Sequence, residues 1–152
     1  MGEVSSIAEV LDMAVAREIR AAEFYAEVAG RMGNPAMRTL FDRLAEEELR
    51  HKARLELEMM KEGLVAKTVG RLIDVGEPEY ATEFEIGPDI EYRRVIDIAV
   101  RKERRSFRFY VHLAGIVLEE DVHDMLLELA EEEARHLVQF EMEYKKLTMG
   151  ER

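Results

Sequence analysis

Two stretches of this sequence recur 85 residues apart, and this internal duplication limits the fold more than any other feature of the chain. Residues 14–25 read AVAREIRAAEFY and residues 99–110 read AVRKERRSFRFY. Residues 44–51 read LAEEELRH and residues 129–136 read LAEEEARH. The chain therefore consists of two copies of one structural unit.

Each copy is predicted to be a helical hairpin, because apolar residues recur at intervals of three and four through windows far longer than a strand. Ser6 followed by Glu9 forms a capping box, Asn34 before Pro35 is typical of a helix start, and Gly63 suits a helix end. These signals predict helices over four ranges: 6–31, 35–62, 89–117 and 121–147.

The segment 63–88 has no sustained helical pattern and separates the two hairpins. A connection of this length can carry the chain from one end of a bundle to the other, so that the next helix runs parallel to the last. A chain of 152 residues with 47% hydrophobic content fits one compact domain. We therefore predict an all-α four-helix bundle as a single domain, 1–152, in which a long crossover connection, 63–88, joins the hairpins 6–62 and 89–147.

Composition excludes several classes of site and partner. The chain has no cysteine, so disulfides, thiolate-bound metals and cysteine nucleophiles are excluded. The net charge of -11, with Arg and Lys scattered among Glu, argues against a nucleic-acid partner. No apolar run approaches the roughly 18 residues of a membrane span, and the first residues do not resemble a signal peptide. The expectation is a cytoplasmic protein without a membrane partner.

Polar residues interrupt the apolar face of every predicted helix. On the first helix, Glu18 lies among Leu11, Val15 and Ala22, and the other helices repeat this pattern. The six interrupting residues are Glu18, Glu48, His51, Glu103, Glu133 and His136.

These residues are also predicted to lie at matching heights. Glu18 and Glu48 are each fifteen positions from Gly33, and Glu103 and Glu133 are each fifteen positions from Leu118, which places both pairs roughly 22 Å from their turns. Glu-x-x-His spacing puts carboxylate and imidazole on one face. Four buried carboxylates would repel one another unless cations balance them, so we predict two divalent ions bound by all six residues. Oxygen and nitrogen ligands suit iron or manganese and also accept zinc.

A single Glu or His in a helical protein is usually solvated, and several others here fit that interpretation. His112 and His123 lie on the far side of their helices from the glutamates, so surface positions are expected. The remaining acidic residues of the repeated motifs are also predicted to be solvated: Glu46, Glu47, Glu131 and Glu132. Glu47 and Glu132 are close enough to the motif to serve as reserve ligands.

Two tyrosines follow the same pattern as the glutamates. Tyr25 and Tyr110 each come seven residues after their helix's Glu, on the same face. They are predicted to assist catalysis by donating hydrogen bonds to the ligand carboxylates. An ordinary role in the core is the alternative.

One Glu on each of two helices, with Glu-x-x-His on each of the other two, is the pattern of ferritin-like di-iron and di-manganese proteins. Within that class the chain resembles the rubrerythrin family. Both hairpins carry the resemblance, through Glu18-x6-Tyr25, Glu48-x-x-His51, Glu103-x6-Tyr110 and Glu133-x-x-His136. The resemblance implies a ferritin-like four-helix bundle with two iron ions. Manganese and zinc are the alternative metals.

The resemblance implies a non-haem di-iron oxidoreductase of the peroxidase type, which reduces hydrogen peroxide or dioxygen in oxidative stress. Rubrerythrins of the familiar type carry a cysteine-ligated module that supplies electrons. This chain has no cysteine, so an external donor such as a rubredoxin is expected. Those proteins also have a further Glu three residues after the first on the third helix, where this chain has Ser106. The family likeness therefore predicts peroxidase activity, and Ser106 weakens that prediction.

Two other functions remain open from the sequence. One is iron oxidation and handling of the ferritin kind, which requires a large hollow shell. The other is a structural bundle whose metals tie helices together without catalysis. We expect a homodimer, and exchange of helix pairs between subunits through the long connection is left open.

Overall fold

The computed structural model describes residues 7–61 and 92–149, which form four helices and, within those ranges, no strand. The helices are α1 (Ile7–Arg31), α2 (Pro35–Lys61), α3 (Tyr92–Ile116) and α4 (Glu120–Met149). Each begins and ends within three residues of its predicted position. Ser6, Gly63 and the connection 63–88 lie outside the described residues. None of these helices has an apolar stretch long enough to cross a bilayer.

The chain divides into two compact units, Met1–Pro88 and Asp89–Arg152, and each contains one hairpin. In the first unit α1 packs on α2, and in the second α3 packs on α4. The prediction of two duplicated hairpins is confirmed. That the two hairpins make up one domain stays a prediction.

The turn between α1 and α2 is fixed by Asn34, as its position before Pro35 predicts. Its Oδ1 accepts hydrogen bonds from the backbone N–H groups of Ala36, at 2.8 Å, and Met37, at 3.3 Å. These are two of the donors that have no partner inside the first turn of a helix. The guanidinium of Arg38 donates to the carbonyl of Met32 at 2.8 Å and closes the turn from the other side.

The second hairpin is closed at both ends by side chains of different kinds. At the turn, the Glu119 carboxylate accepts a hydrogen bond from the backbone N–H of Val122 at 2.9 Å, so α4 starts at Glu120. At the far end, the hydroxyl of Tyr92 donates to Oε1 of Glu143 at 3.4 Å. Burial, together with the nearby Glu143 carboxylate, raises the pKa of Tyr92 well above its usual value.

The interior of each hairpin is aliphatic and aromatic, with one tyrosine at the same position of each repeat. Tyr25 is buried and stacks on Phe41 at a centroid distance of 5.9 Å. Tyr110 is equally buried, and Phe109 meets it edge-on at 5.3 Å. Large buried side chains such as these provide most of the apolar area that holds each helix pair together.

Replacing Asn34 with Ala should lower the free energy of unfolding by about 1 kcal/mol, because two N–H groups at the start of α2 lose their acceptor. Asn34→Asp keeps an acceptor oxygen and should retain most of the stability. Denaturant unfolding followed by circular dichroism measures both. Equal losses in the two variants would show that the cap does not stabilise the turn.

Candidate metal centre

Three polar side chains converge inside the first hairpin: Glu18 from α1, and Glu48 and His51 from α2. The Nδ1 atom of His51 lies 3.1 Å from Oε1 of Glu48 and 3.5 Å from Oε1 of Glu18. All three side chains are buried, with at most 4% of any residue exposed. The equal distances of the two glutamates from Gly33 therefore predicted their common level correctly.

The second hairpin contains the same arrangement, formed by Glu103 from α3 and by Glu133 and His136 from α4. The Nδ1 atom of His136 lies 3.4 Å from Oε1 of Glu133 and 3.5 Å from Oε1 of Glu103. These residues are also buried, with at most 5% exposed. The duplication seen in the sequence thus extends to the geometry of the polar side chains.

We call each set a ligand trio: Glu18, Glu48 and His51 in the first hairpin, and Glu103, Glu133 and His136 in the second. In each trio one ligand atom per residue can be chosen so that all lie within 4.8 Å of one another. Two atoms that each lie about 2.1 Å from one ion are separated by about 3.0 Å at a right angle and about 3.4 Å at a tetrahedral angle. The observed separations of 3.1–3.5 Å match that range.

The chemistry of the trios also fits a metal. Two carboxylates and one imidazole are suitable ligands for iron, manganese or zinc. Without a cation, two ionised glutamates buried beside each other repel one another and lose their hydration. A divalent ion removes both penalties, so the trios fit metal binding better than they fit a metal-free core.

The acidic residues next to the ligand trios lie in different surroundings. The Glu47 side chain is 28% exposed and pairs with Arg43 at 3.8 Å and with Arg50 at 3.9 Å. The Glu132 side chain is 36% exposed and pairs with Arg135 at 3.8 Å. Glu46 and Glu131 are exposed. The prediction that these glutamates lie on a solvated face is therefore confirmed. The two reserve ligands, Glu47 and Glu132, form ion pairs with arginines at the edge of that face.

The other two histidines take no part in the ligand trios. His112 is exposed on α3. His123 is partly exposed, and its Nδ1 lies 3.1 Å from the Asp124 carboxylate. Both histidines lie away from the ligand glutamates of their helices, Glu103 and Glu133, as their positions in the helical repeat predict.

Sequence reasoning missed three charged residues that the structure buries. Arg17 is 9% exposed, Lys102 is 4% exposed and Glu58 is 7% exposed. Glu58 has a partner in the more exposed Lys61, at 3.5 Å. Arg17 and Lys102 are separated by the repeat distance of 85 residues, which is the signal that could have identified them.

Comparison with known proteins adds a family and a fold to this geometry. A family model described as Rubrerythrin matches residues 9–144. No curated protein matches the chain. A hypothetical protein from Pyrococcus furiosus is similar in structure, with 28% identity and a TM-score of 0.73 over 94% of this chain and 90% of its own.

Two further solved structures have the same fold at lower identity. An uncharacterised conserved protein from Magnetospirillum magnetotacticum has 24% identity and a TM-score of 0.72, over 93% of this chain and 95% of its own. A manganese catalase from Anabaena has 14% identity and a TM-score of 0.72, over 97% of this chain and 77% of its own. The predicted ferritin-like four-helix bundle is confirmed. The family match and the buried ligand trios support a dimetal redox protein.

Replacing Glu48 or Glu133 with Ala removes a buried ligand and should weaken metal binding at least 10–100-fold. That range is the typical cost of losing a residue that only hydrogen-bonds to a ligand, and loss of the ligand itself should cost no less. Glu47→Ala and Glu132→Ala are matched controls, since they change the same residue type one position away, on the partly exposed face. Competition with a chromophoric chelator measures the affinities. Similar losses in both pairs would contradict the assignment of ligands.

Replacing both Glu18 and Glu103 with Gln should stabilise the metal-free protein, because one buried negative charge is removed from each ligand trio. Two unit charges about 4 Å apart repel by about 4 kcal/mol at an effective dielectric constant near 20, which is the upper end of the gain expected for each trio. The same variant should bind metal poorly and so gain less stability when metal is added. Thermal unfolding with chelator and with metal measures both effects. Glu23→Gln is the control, since Glu23 is exposed on α1. A less stable metal-free double variant would show that these glutamates do not repel other buried charges.

Proposed function

This chain belongs to the rubrerythrin family, and on that premise we propose that it is a non-haem di-iron redox protein that reduces hydrogen peroxide or dioxygen. The observation that carries the proposal is the buried ligand trio, present once in each hairpin with matching distances. A trio that served stability alone would not require two carboxylates beside each other in a core.

We propose that the two ligand trios together hold two iron ions. Their four carboxylates balance the charge of two divalent ions, and the imidazoles complete a donor set of oxygen and nitrogen. Bound iron would supply the electrons and the Lewis acidity that the reduction requires. The role of the protein is to hold the ligands in place and to exclude bulk water, which the burial of all six side chains supports.

Tyr25 and Tyr110 are proposed to steady the ligand carboxylates by donating hydrogen bonds. Both hydroxyl groups belong to buried residues on the same helix face as Glu18 and Glu103. A buried tyrosine hydroxyl requires an acceptor, and a carboxylate is the strongest acceptor that a side chain offers. Such a bond would fix the orientation of a ligand and tune how strongly it donates to the metal.

The electrons are proposed to come from a separate donor such as a rubredoxin. The 152 residues contain no cysteine and therefore no thiolate-bound iron centre of their own. Reducing one peroxide to two waters takes two electrons, which two ferrous ions can supply once, and two protons, which come from solvent. Repeated turnover then needs a reductant from outside the bundle.

We also propose that two copies associate as a homodimer. Leu57 and Met142 occupy equivalent positions of the repeat, and they are 55% and 57% exposed respectively. Met60, on the same helix as Leu57, is 71% exposed. Large exposed apolar side chains favour contact with a partner.

The function is tested on anaerobically purified protein loaded with ferrous iron. We expect about two irons per chain, oxidised by one equivalent of peroxide and reduced again by a reduced rubredoxin over many cycles. Glu48→Ala should abolish both steps, while Glu47→Ala should retain them.

Other outcomes of this experiment would support a different function. Oxygen release from peroxide without a donor would indicate disproportionation and would overturn the external-donor proposal. Large hollow assemblies that accumulate iron would indicate iron handling of the ferritin kind. Metal bound without any turnover would indicate a structural role.

A further inference from the structure

Helix α3 is basic although the chain as a whole is strongly acidic. It carries seven arginines and lysines and two acidic residues, a net charge of +5, whereas the whole chain has a net charge of -11. The remainder of the chain therefore carries -16. Four of the cations of α3 follow one another within about two turns of the helix. We call them the arginine face: Arg101, Arg104, Arg105 and Arg108.

The arginine face lies on the side of α3 that is turned away from its ligand trio. At about 100° per residue, Arg101, Arg105 and Arg108 lie about 140–160° around the helix from Glu103, and Arg104 lies about 100° from it. Arg101 and Arg108 are exposed, and the other two arginines are partly exposed. A protein in solution can therefore reach these cations.

The ion pairs on this face are weak enough to be exchanged. Arg101 faces Asp97 at 3.6 Å, and Arg104 faces Glu141 of α4 at 3.7 Å. All four of these side chains are between 43% and 61% exposed. Exposed pairs contribute only about 0–1 kcal/mol, so a carboxylate of another protein can replace the present one at little cost. Docking requires cations that are accessible and exchangeable, and it does not require them to be unpaired.

The first repeat shows that the helical hairpin does not require these arginines. Helix α1 also contributes one glutamate to a ligand trio, with the same distance of 3.5 Å to the histidine. Of the four equivalent positions in α1, one is basic, with Arg20 in place of Arg105. The other three arginines are replaced by Ala16, Ile19 and Glu23. The arginine face therefore serves neither the packing of a hairpin nor the geometry of a trio.

The arginine face is level with the second ligand trio. Arg101 comes two residues before Glu103 and Arg108 five residues after it, which is about 3 Å and about 7.5 Å along the helix axis. A protein docked on this face is separated from the ligand side of α3 by one helix, about 10–12 Å across. Electron transfer slows steeply with distance. A donor on this face is therefore better placed than one at the turn of the hairpin, roughly 22 Å from the level of Glu103.

We propose that the arginine face is the docking surface for the protein that supplies electrons, and that this donor presents an acidic surface to it. Opposite charges steer such a partner to the face and fix its orientation there. The rest of the chain, with a net charge of -16, repels an acidic protein and so disfavours other approaches. Electron-transfer encounters bury small areas, so four arginines within two turns are sufficient in extent. The proposal rests on the proposed function, because it requires an external electron donor.

The test is a titration of the full-length chain with isotope-labelled, zinc-substituted rubredoxin of strongly negative net charge, followed by NMR. Zinc has no redox chemistry, so binding is measured apart from electron transfer. Arg101→Gln/Arg108→Gln should weaken binding about tenfold at low ionic strength, and it should fold because α1 forms without arginine at these positions. Arg101→Lys/Arg108→Lys should stay within about threefold of the parent, because steering needs charge more than a guanidinium. In 1 M salt, where the Debye length is about 3 Å, the differences should disappear.

Arg50→Gln/Arg135→Gln is the matched control. These two arginines also lie 85 residues apart, their side chains are 65% and 63% exposed, and each is paired with a glutamate of its own helix. Removing them changes the net charge by the same amount on α2 and α4. Equal weakening by both double variants would be a general effect of net charge and would overturn the docking surface. Tighter binding of a DNA duplex or of anionic phospholipid vesicles through Arg101 and Arg108 would also overturn it.

Stopped-flow reduction separates this proposal from the proposed function. Reduced iron rubredoxin is mixed with iron-loaded protein that peroxide has oxidised, and each encounter passes one electron from ferrous rubredoxin to a ferric ion of the bundle. The second-order rate constant should fall about tenfold in Arg101→Gln/Arg108→Gln and should not change in the control. Docking of zinc rubredoxin without any reduction of iron would overturn the redox function and leave the docking surface intact. Equal rates of reduction in the parent and in the glutamine variant would overturn the docking surface alone.

Discussion

Two carboxylates and an imidazole buried together in each hairpin are the constraint on which the rest of this structure depends. When Glu18 and Glu48 are buried in the core, their carboxylates lose their hydration and repel one another, and both effects oppose folding. The aromatic and aliphatic side chains around them must offset that cost. Tyr25 stacked on Phe41 is part of that compensation, since each large buried ring contributes roughly 1.5–3 kcal/mol.

Much of this arrangement could be predicted from the sequence because the relevant signals are local and periodic. The spacing of apolar residues indicated four helices, and Asn34 before Pro35 located a helix start that the hydrogen bonds confirm. Distances counted from Gly33 placed Glu18 level with Glu48, and their contacts with His51 show that this was right. Register within an antiparallel hairpin follows from counting residues because both helices rise by the same amount per residue.

The burial of Arg17 and Lys102 could not be predicted in the same way. Both lie about 100° around their helices from the ligand glutamates, at the edge of the apolar stripe, where a charged residue normally reaches water. Whether such an edge position is covered depends on packing beyond the helix itself. The repeat distance shows that the two positions are equivalent, but equivalence alone does not say that either is buried. Only the side-chain exposures in the folded structure show that both residues are buried.

Duplication also explains why the two ligand trios are similar but not identical. The ligands themselves repeat without change, whereas the residues around them were free to differ. Phe41 stacks on Tyr25, but the equivalent residue in the second hairpin is Leu126, so the two tyrosines lie in different surroundings. Arg17 and Lys102 differ in the same manner.

A metal held by one trio would therefore experience a slightly different electrostatic field from a metal held by the other. Redox chemistry that moves electrons in single steps can use such a difference, because the two ions of a pair then need not change oxidation state at the same potential.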